Sequence, residues 1–241
     1  MSQTSLRSRL DRVRERIRAA EARAGRPAGC VRLVAVTKGF PAAVVVDAIA
    51  AGIDTIGENR VQEAAEKKPA VARASSAAWH LIGHLQTNKV ARAIETFDVI
   101  ESIDSVRLVQ AVARRAAVTA RRVPVLVEVN VTGEPAKTGA SPAELFAVLE
   151  AAAAESALEL RGLMAMGPLT DDEARTRAAF AQARSLLDAA VARGLVNRAA
   201  GERGGEAAPE LSMGMSDDFE LAILEGSTMV RIGSALFGRR A

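Results

Sequence analysis

Eight short apolar runs, each separated from the next by a stretch of helical character, constrain this chain more than any other feature. The runs fall at Val31–Val36, Ile53–Ile56, Trp79–Ile82, Val99–Ser102, Val123–Val131, Leu158–Ala165, Glu210–Met213 and Met229–Ile232. Helical stretches lie between them near 41–51, 60–73, 87–95, 105–120, 142–153, 171–193 and 217–225. Strand and helix alternating eight times is the count of a (β/α)8 barrel, and 241 residues suffice for one. The expectation is an α/β fold, a single (β/α)8 TIM barrel over residues 1–241 with an extra N-terminal helix. A doubly wound open sheet is the competitor. No Gly-x-Gly-x-x-Gly follows the first strand, which weakens the dinucleotide-binding form of that alternative.

Local signals agree with this division. Ser141-Pro142-Ala143-Glu144 reads as a capping box with proline at the first helical position, and Thr170-Asp171-Asp172-Glu173 as a second box. Gly52 and Gly194 suit helix C-termini. Gly201–Ala208 reads as a flexible insertion, and Thr132–Ala140 as a second mobile connection. Ahead of the first strand, Leu6, Leu10, Val13 and Ile17 form one apolar helical stripe within Leu6–Arg26. Arginines 7, 9, 12, 14, 16 and 18 fill the rest of that helix, with Asp11, Glu15 and Glu21 interleaved as helix pairs.

Several function classes are disfavoured. A net charge of +3 with only 3% aromatic residues provides no stacking platform for nucleic acid, so the arginines read as a solvated face. No apolar run approaches twenty residues, and the N-terminus lacks a signal-peptide core, so neither membrane nor export is expected. The single cysteine, Cys30, reads as a small buried residue. His80 and His84 stand four apart on a strand, too far to share a metal, and read as hydrogen-bonded strand and loop residues. A soluble, cytoplasmic protein is expected.

The chemistry-bearing residues cluster where barrel strands end. Lys38 follows the first run and precedes Gly39. An amine delivered by a buried strand to a water-poor place becomes a nucleophile toward carbonyls, although a lysine that merely snorkels to solvent would look the same. Phosphate is commonly held after strands seven and eight. Those positions carry Ser212-Met213-Gly214-Met215-Ser216 and Ile232-Gly233-Ser234, small residues and hydroxyls that admit an anion and also serve ordinary turns. Ser216 can in addition cap the helix that begins after it. Arg231 lies inside an apolar strand, where a charge is costly unless paired; the pleat leaves open whether it points inward or outward at an edge of the barrel. Asn59, after the second strand, is placed either to donate to a ligand or to cap a helix. A lysine, a phosphate rim and an inward guanidinium together suit pyridoxal 5′-phosphate, with the arginine donating to the ring nitrogen and so weakening the electron sink.

These motifs resemble a known family in combination. Val34-Ala35-Val36-Thr37-Lys38, Gly57-Glu58-Asn59, the stretch His80 to Lys89, Gly162-Leu163-Met164, Ser212 to Ser216 and Val230 to Gly238 are similar to the YggS/PROSC family of pyridoxal-phosphate homeostasis proteins. The resemblance runs in register from the first helix to the last residues. It implies a barrel of the alanine-racemase type that carries pyridoxal phosphate as a Schiff base on Lys38. It also implies that Asn59, Met213, Ser216, Arg231, Gly233 and Ser234 line the site, with Val36 beneath it. Ser234 stands where many relatives carry threonine, which keeps the hydroxyl.

Carrier and enzyme remain the two main alternatives, with a Schiff-base aldolase as a third. Racemases of this barrel type pair the lysine with a tyrosine from a second domain. This sequence contains no tyrosine and ends at Ala241, shortly after the eighth strand, so both that domain and its dimer interface are expected to be missing. The expectation is a monomeric carrier with little or no turnover. It would exchange cofactor with amino acids or with the lysine of a pyridoxal-phosphate-dependent apo-enzyme. A racemase or decarboxylase is the alternative.

Overall fold

The computed structural model describes residues 3–71, 77–134, 137–196 and 209–238, so the Gly201–Ala208 insertion lies outside the described residues. Its strands are β1 (Arg32–Val36), β2 (Thr55–Glu58), β3 (Ala78–Leu81), β4 (Val99–Ile103), β5 (Val123–Val129), β6 (Leu158–Ala165), β7 (Glu210–Ser212) and β8 (Met229–Ile232). Each pairs in parallel with its sequence neighbours, and the set closes into a barrel. The closing contact is β1 on β8, in register from Arg32 opposite Met229 to Ala35 opposite Ile232. That pair rules out the open sheet.

The helices between strands are α2 (Ala42–Ala50), α3 (Val61–Val71), α4 (Val90–Thr96), α5 (Val106–Val118), α6 (Leu145–Ala154), α7 (Glu173–Ala192) and α8 (Phe219–Leu224). They are preceded by α1 (Gln3–Arg23) and followed by a short α9 (Ser234–Phe237). One continuous apolar layer fills the space between helices and barrel wall, built around Trp79, Phe97, Phe180 and Phe219. Burying each such side chain contributes roughly 1.5–3 kcal/mol. Val34, Val36, Val99, Leu126, Met164 and Met229 are buried outside that layer, and the alternation of strand side chains turns them to the lumen.

Helix α1 lies against α8 and α9, with Leu6, Leu10, Val13 and Ile17 all buried. Its charges behave differently from the sequence expectation. Arg16 pairs across to Glu220 with two bonds of 3.0 and 2.8 Å instead of along its own helix. Glu21 is fully buried and accepts from the N–H groups of Gly29 and Val31, closing the turn into β1. A helix side chain one turn from the C-terminus is better placed to satisfy loop donors than to face solvent. Cys30 is half-buried rather than buried.

The cap signals hold with adjustments. Ser141 and Glu144 form the reciprocal box, but it closes a turn one step ahead of α6. Asp172, not Thr170, caps α7 by accepting from Arg175 N–H, while Thr170 accepts from Asp172 N–H. Gly52 and Gly194 adopt positive φ at the ends of α2 and α7, where a side chain would be strained. The described part of the Thr132–Ala140 connection is ordered by Asn130. Its Oδ1 accepts from Thr132, and its Nδ2 donates to the carbonyls of Glu134 and Lys137. Asparagine stitching its own turn supplies order that a polar loop composition does not reveal.

Candidate functional site

A cavity of about 470 Å³ opens at the C-terminal ends of the strands. Val36, Lys38 and Phe40 enter it from β1, Asn59 from β2, Ile82 from β3 and Met166 from β6. Met215, Ser216 and Asp217 follow β7, and Arg231, Gly233, Ser234 and Gly238 come from β8 and its sequel. This is the face on which barrel enzymes build sites, because the loops there converge while the strands hold them rigid.

Lys38 is half-buried at the cavity, one residue past Thr37, which is fully buried. Beneath it, Glu58 ends β2 with no exposure and accepts from Thr37 Oγ1 at 2.6 Å and from Lys67 Nζ at 2.7 Å. Burial pushes the Glu58 carboxyl above its ordinary range, against the pull of Lys67 and Thr37. Gly83 lets the chain after β3 press directly on the Asn59 backbone, where a Cβ would collide with the Asn59 carbonyl carbon at 2.9 Å. Ser102 Oγ fixes that glycine by donating to its carbonyl at 2.7 Å. The Asn59 side chain is thereby held at the rim, and its buried Oδ1 has no partner among the described residues.

Arg231 is buried at 4% exposure and is nevertheless satisfied. One Nη donates to Ser212 Oγ at 2.8 Å and the other to the Ala165 carbonyl at 3.0 Å. Burial presses its pKa down, while Glu101, Glu128 and Asp218 oppose that; an arginine in such company stays cationic. Glu101, fully buried, meets His80 Nδ1 at 2.6 Å. Desolvation alone would raise the Glu101 carboxyl, but the bond to His80 and the nearby guanidinium bring it below its ordinary range. Glu128 and Asp218 are both raised, chiefly by burial. The lumen below the cavity thus holds the Arg231 guanidinium with the carboxylates of Glu101 and Glu128, while Asp218 acts on it from the loop after β7.

At the far side, Ser216 Oγ accepts from the N–H groups of Gly233 and Ala235, at 3.3 and 3.2 Å. It therefore ties the loop after β7 to the start of α9 and does not cap α8. Asp218 performs the local closure there, accepting from Met215 N–H at 2.6 Å. Ser234 and the Gly233 backbone stand beside this tie.

The structure brings Lys38, Val36, Asn59, Ser216, Arg231, Gly233 and Ser234 to one cavity. Met213 is placed otherwise: its side chain is fully buried in the apolar layer, and Met215 and Met166 line the cavity instead. Strand alternation accounts for this, since residues two apart share a direction and Met213 is one step from Ser212, which faces the lumen. Phe40, Ile82, Met166, Asp217 and Gly238 were not expected from the sequence, although Ile82 and Met166 obey the same end-of-strand rule as Lys38. His80 and His84 pair with Glu101 and with Asp104, the latter at 3.0 Å, as hydrogen-bonded residues.

The structure thus presents a closed eight-stranded barrel with a lysine, a buried arginine and a serine-glycine rim at one mouth. The family model for the alanine racemase N-terminal domain matches residues 8–241. The chain is 40% identical over 237 residues to the pyridoxal phosphate homeostasis protein of Pseudomonas aeruginosa, covering 98% of this chain and 96% of that one. It is 38% identical to the protein of that name from Escherichia coli K12, covering 96% and 95%. Among solved structures, PipY of Synechococcus elongatus with PLP bound matches with a TM-score of 0.78 and 38% identity, over 94% of this chain and all of PipY. An alanine racemase from Clostridium difficile shares the fold at 14% identity and a TM-score of 0.74, with 57% of its length covered. The chain belongs to the alanine racemase N-terminal-domain family and, within it, to the pyridoxal phosphate homeostasis proteins.

Proposed function

We propose that this protein binds pyridoxal 5′-phosphate as a Schiff base on Lys38 and serves cofactor homeostasis by buffering or delivery, with little or no turnover. The observation that carries the reading is the convergence on one cavity of Lys38, the buried Arg231 and the Ser216–Gly233–Ser234 rim. The residues fit the group. Asn59 offers a half-buried side-chain amide whose buried oxygen has no partner among the described residues, and Arg231 presents a cation that cannot accept a proton from a ring nitrogen. The hydroxyls of Ser216 and Ser234, with the backbone near Gly233, are the groups that would hold the phosphate. When bound, the cofactor supplies an aldehyde that condenses with a primary amine, releasing one water, and can be passed to a competing amine. Such an amine would belong to a free amino acid or to a lysine of a client apo-enzyme.

Two features favour a carrier over a racemase or decarboxylase. The sequence contains no tyrosine to serve as the second acid-base group. Arg231 opposes protonation of the ring nitrogen and so weakens the electron sink that carbanion chemistry needs. The test is the visible spectrum of protein reconstituted with pyridoxal phosphate, before and after adding D- and L-alanine, with product analysis. A yellow chromophore that responds to amino acid without racemised or decarboxylated product is expected, and Lys38→Ala should lose the borohydride-reducible linkage. Turnover well above that of free cofactor would establish an enzyme instead. A reducible linkage surviving in Lys38→Ala would overturn the role of Lys38.

A further inference from the structure

One buried ammonium, with the carboxylate it pairs to, holds both peptide groups that flank Lys38. Lys67 Nζ donates to the Thr37 carbonyl at 2.8 Å, to Glu58 Oε1 at 2.7 Å and to Glu63 Oε1 at 2.6 Å. Three acceptors use all three of its N–H donors. Glu63 Oε1 in turn accepts from the Gly39 N–H. The Thr37 carbonyl belongs to the peptide plane entering Lys38, and the Gly39 N–H to the plane leaving it. Fixing both planes fixes φ and ψ at Lys38, and with them the direction in which its Cα–Cβ bond leaves the backbone.

The arrangement is costly in a way that calls for a reason. Glu63 and Lys67 are four apart on α3, a spacing that ordinarily makes a solvated surface pair. Here the Lys67 side chain is only 7% exposed and Glu58 is at 0%. Two ions withdrawn from water need excellent geometry to break even, and an apolar pair of the same shape is often as stable. An apolar pair could not reach the Thr37 carbonyl or the Gly39 N–H.

We infer that Lys67, together with Glu58 and Glu63, is a positioning group that aims Lys38 into the cavity. This rests on the reading of Lys38 as the amine that carries the cofactor. Lys67 itself is not a second anchoring amine, because its donors are committed and its side chain does not line the cavity. Desolvation tends to raise the Glu63 carboxyl, but its bonds from Lys67 and Gly39 outweigh that and leave it below its ordinary range, as an anion that keeps its grip at neutral pH.

The test separates aiming of the lysine from general integrity of the pocket. Wild type, Lys67→Met and Glu63→Ala are titrated with pyridoxal phosphate and with 4′-deoxypyridoxine 5′-phosphate, which keeps ring and phosphate but has no aldehyde. The rate at which the lysine-linked chromophore forms is measured alongside. A misaimed nucleophile costs up to about 100-fold, so Lys67→Met should slow linkage by roughly that factor and weaken pyridoxal phosphate accordingly. Glu63→Ala should show a smaller effect of the same kind, about 3- to 10-fold. The deoxy analogue should bind all three proteins within about 3-fold, since it makes no use of the aim of Lys38. Equal weakening of both ligands, or an unchanged linkage rate in folded variants, would overturn the inference. Should Lys67→Met fail to fold, Glu63→Ala decides the matter, because it leaves Lys67 on Glu58 and Thr37. A wild type that forms no reducible linkage, or a Lys38→Ala protein that does, would instead bring down the Lys38 reading and the inference with it.

Discussion

Lys67 and Arg16 are both helix cations paired with glutamate, yet they sit in opposite worlds. The Lys67–Glu58 pair lies beneath the β1–β2 rim with side chains 7% and 0% exposed, whereas Arg16 and Glu220 face solvent at 39% and 36%. At about 4 Å, unit charges attract by roughly 1 kcal/mol in water and about 4 kcal/mol at the effective dielectric of a partly buried site. Desolvation works against the second figure, so the buried pair is not simply the stronger one. What differs is consequence. The pair on α1 can be lost with its helix still held by an apolar stripe, while Lys67 under β1 holds the Thr37 carbonyl and, through Glu63, the Gly39 N–H, one on each side of Lys38. The same contrast separates the arginines of α1 from Arg231, which sits buried in the lumen with Glu101 and Glu128 and feels Asp218 from the loop after β7.

The largest expected effect comes from breaking the lumen cluster. Arg231→Leu removes the cation but leaves Glu101 buried on His80 and Ser212 without its donor, and should cost about 3–5 kcal/mol in urea unfolding at pH 7. A loss below 1 kcal/mol would erase the distinction between the two regions. Next is Leu10→Ala on α1, a fully packed side chain whose truncation should cost roughly 2–5 kcal/mol. If that variant matches wild type in thermal and urea melts, apolar packing is not what holds α1, and its surface ion pairs regain importance.

How much of this was readable in the sequence differs between the same two regions. The barrel was, because apolar runs such as Leu158–Ala165 report a strand whatever surrounds it, and the structure returns that strand with the same limits. Lys38, Arg231, Ser216 and Gly233 were visible because the ends of strands are where a barrel converges. Met213, expected at the site through the family resemblance, has its side chain in the apolar layer and does not line the cavity, a direction that a three-residue strand such as Glu210–Ser212 is too short to announce. Lys67 was hidden altogether. The i,i+4 spacing of Glu63 and Lys67 is that of an ordinary solvated helix pair, and only the tertiary fold brings Glu58, Thr37 and Gly39 to them. The interleaved acids of α1 misled in the same way, since Arg16 found its partner more than two hundred residues distant, on α8.

The smallest predicted effect sharpens the comparison from its exposed side. The hydrogen bonds from Arg16, helped by its charge, hold the Glu220 carboxyl below its ordinary value of 4.5, while partial burial works in the opposite direction. A carboxyl whose pKa is lower folded than unfolded contributes stability that is complete above the unfolded value and is lost as pH falls through the folded one. Solvent screening keeps that contribution to about 0–1 kcal/mol. Glu220→Gln should therefore lower stability by no more than about 1 kcal/mol at pH 7. The difference from wild type should shrink as pH is taken below 4.5, and it should also shrink in high salt. Arg16 would remain over the Phe219 ring, 4.6 Å from its centroid, so α1 keeps its place while losing only the ionic part of the contact. A pH-independent loss of several kcal/mol in Glu220→Gln would mean that the α1 surface is coupled to the barrel as tightly as the lumen cluster, and the two regions would have to be treated as one.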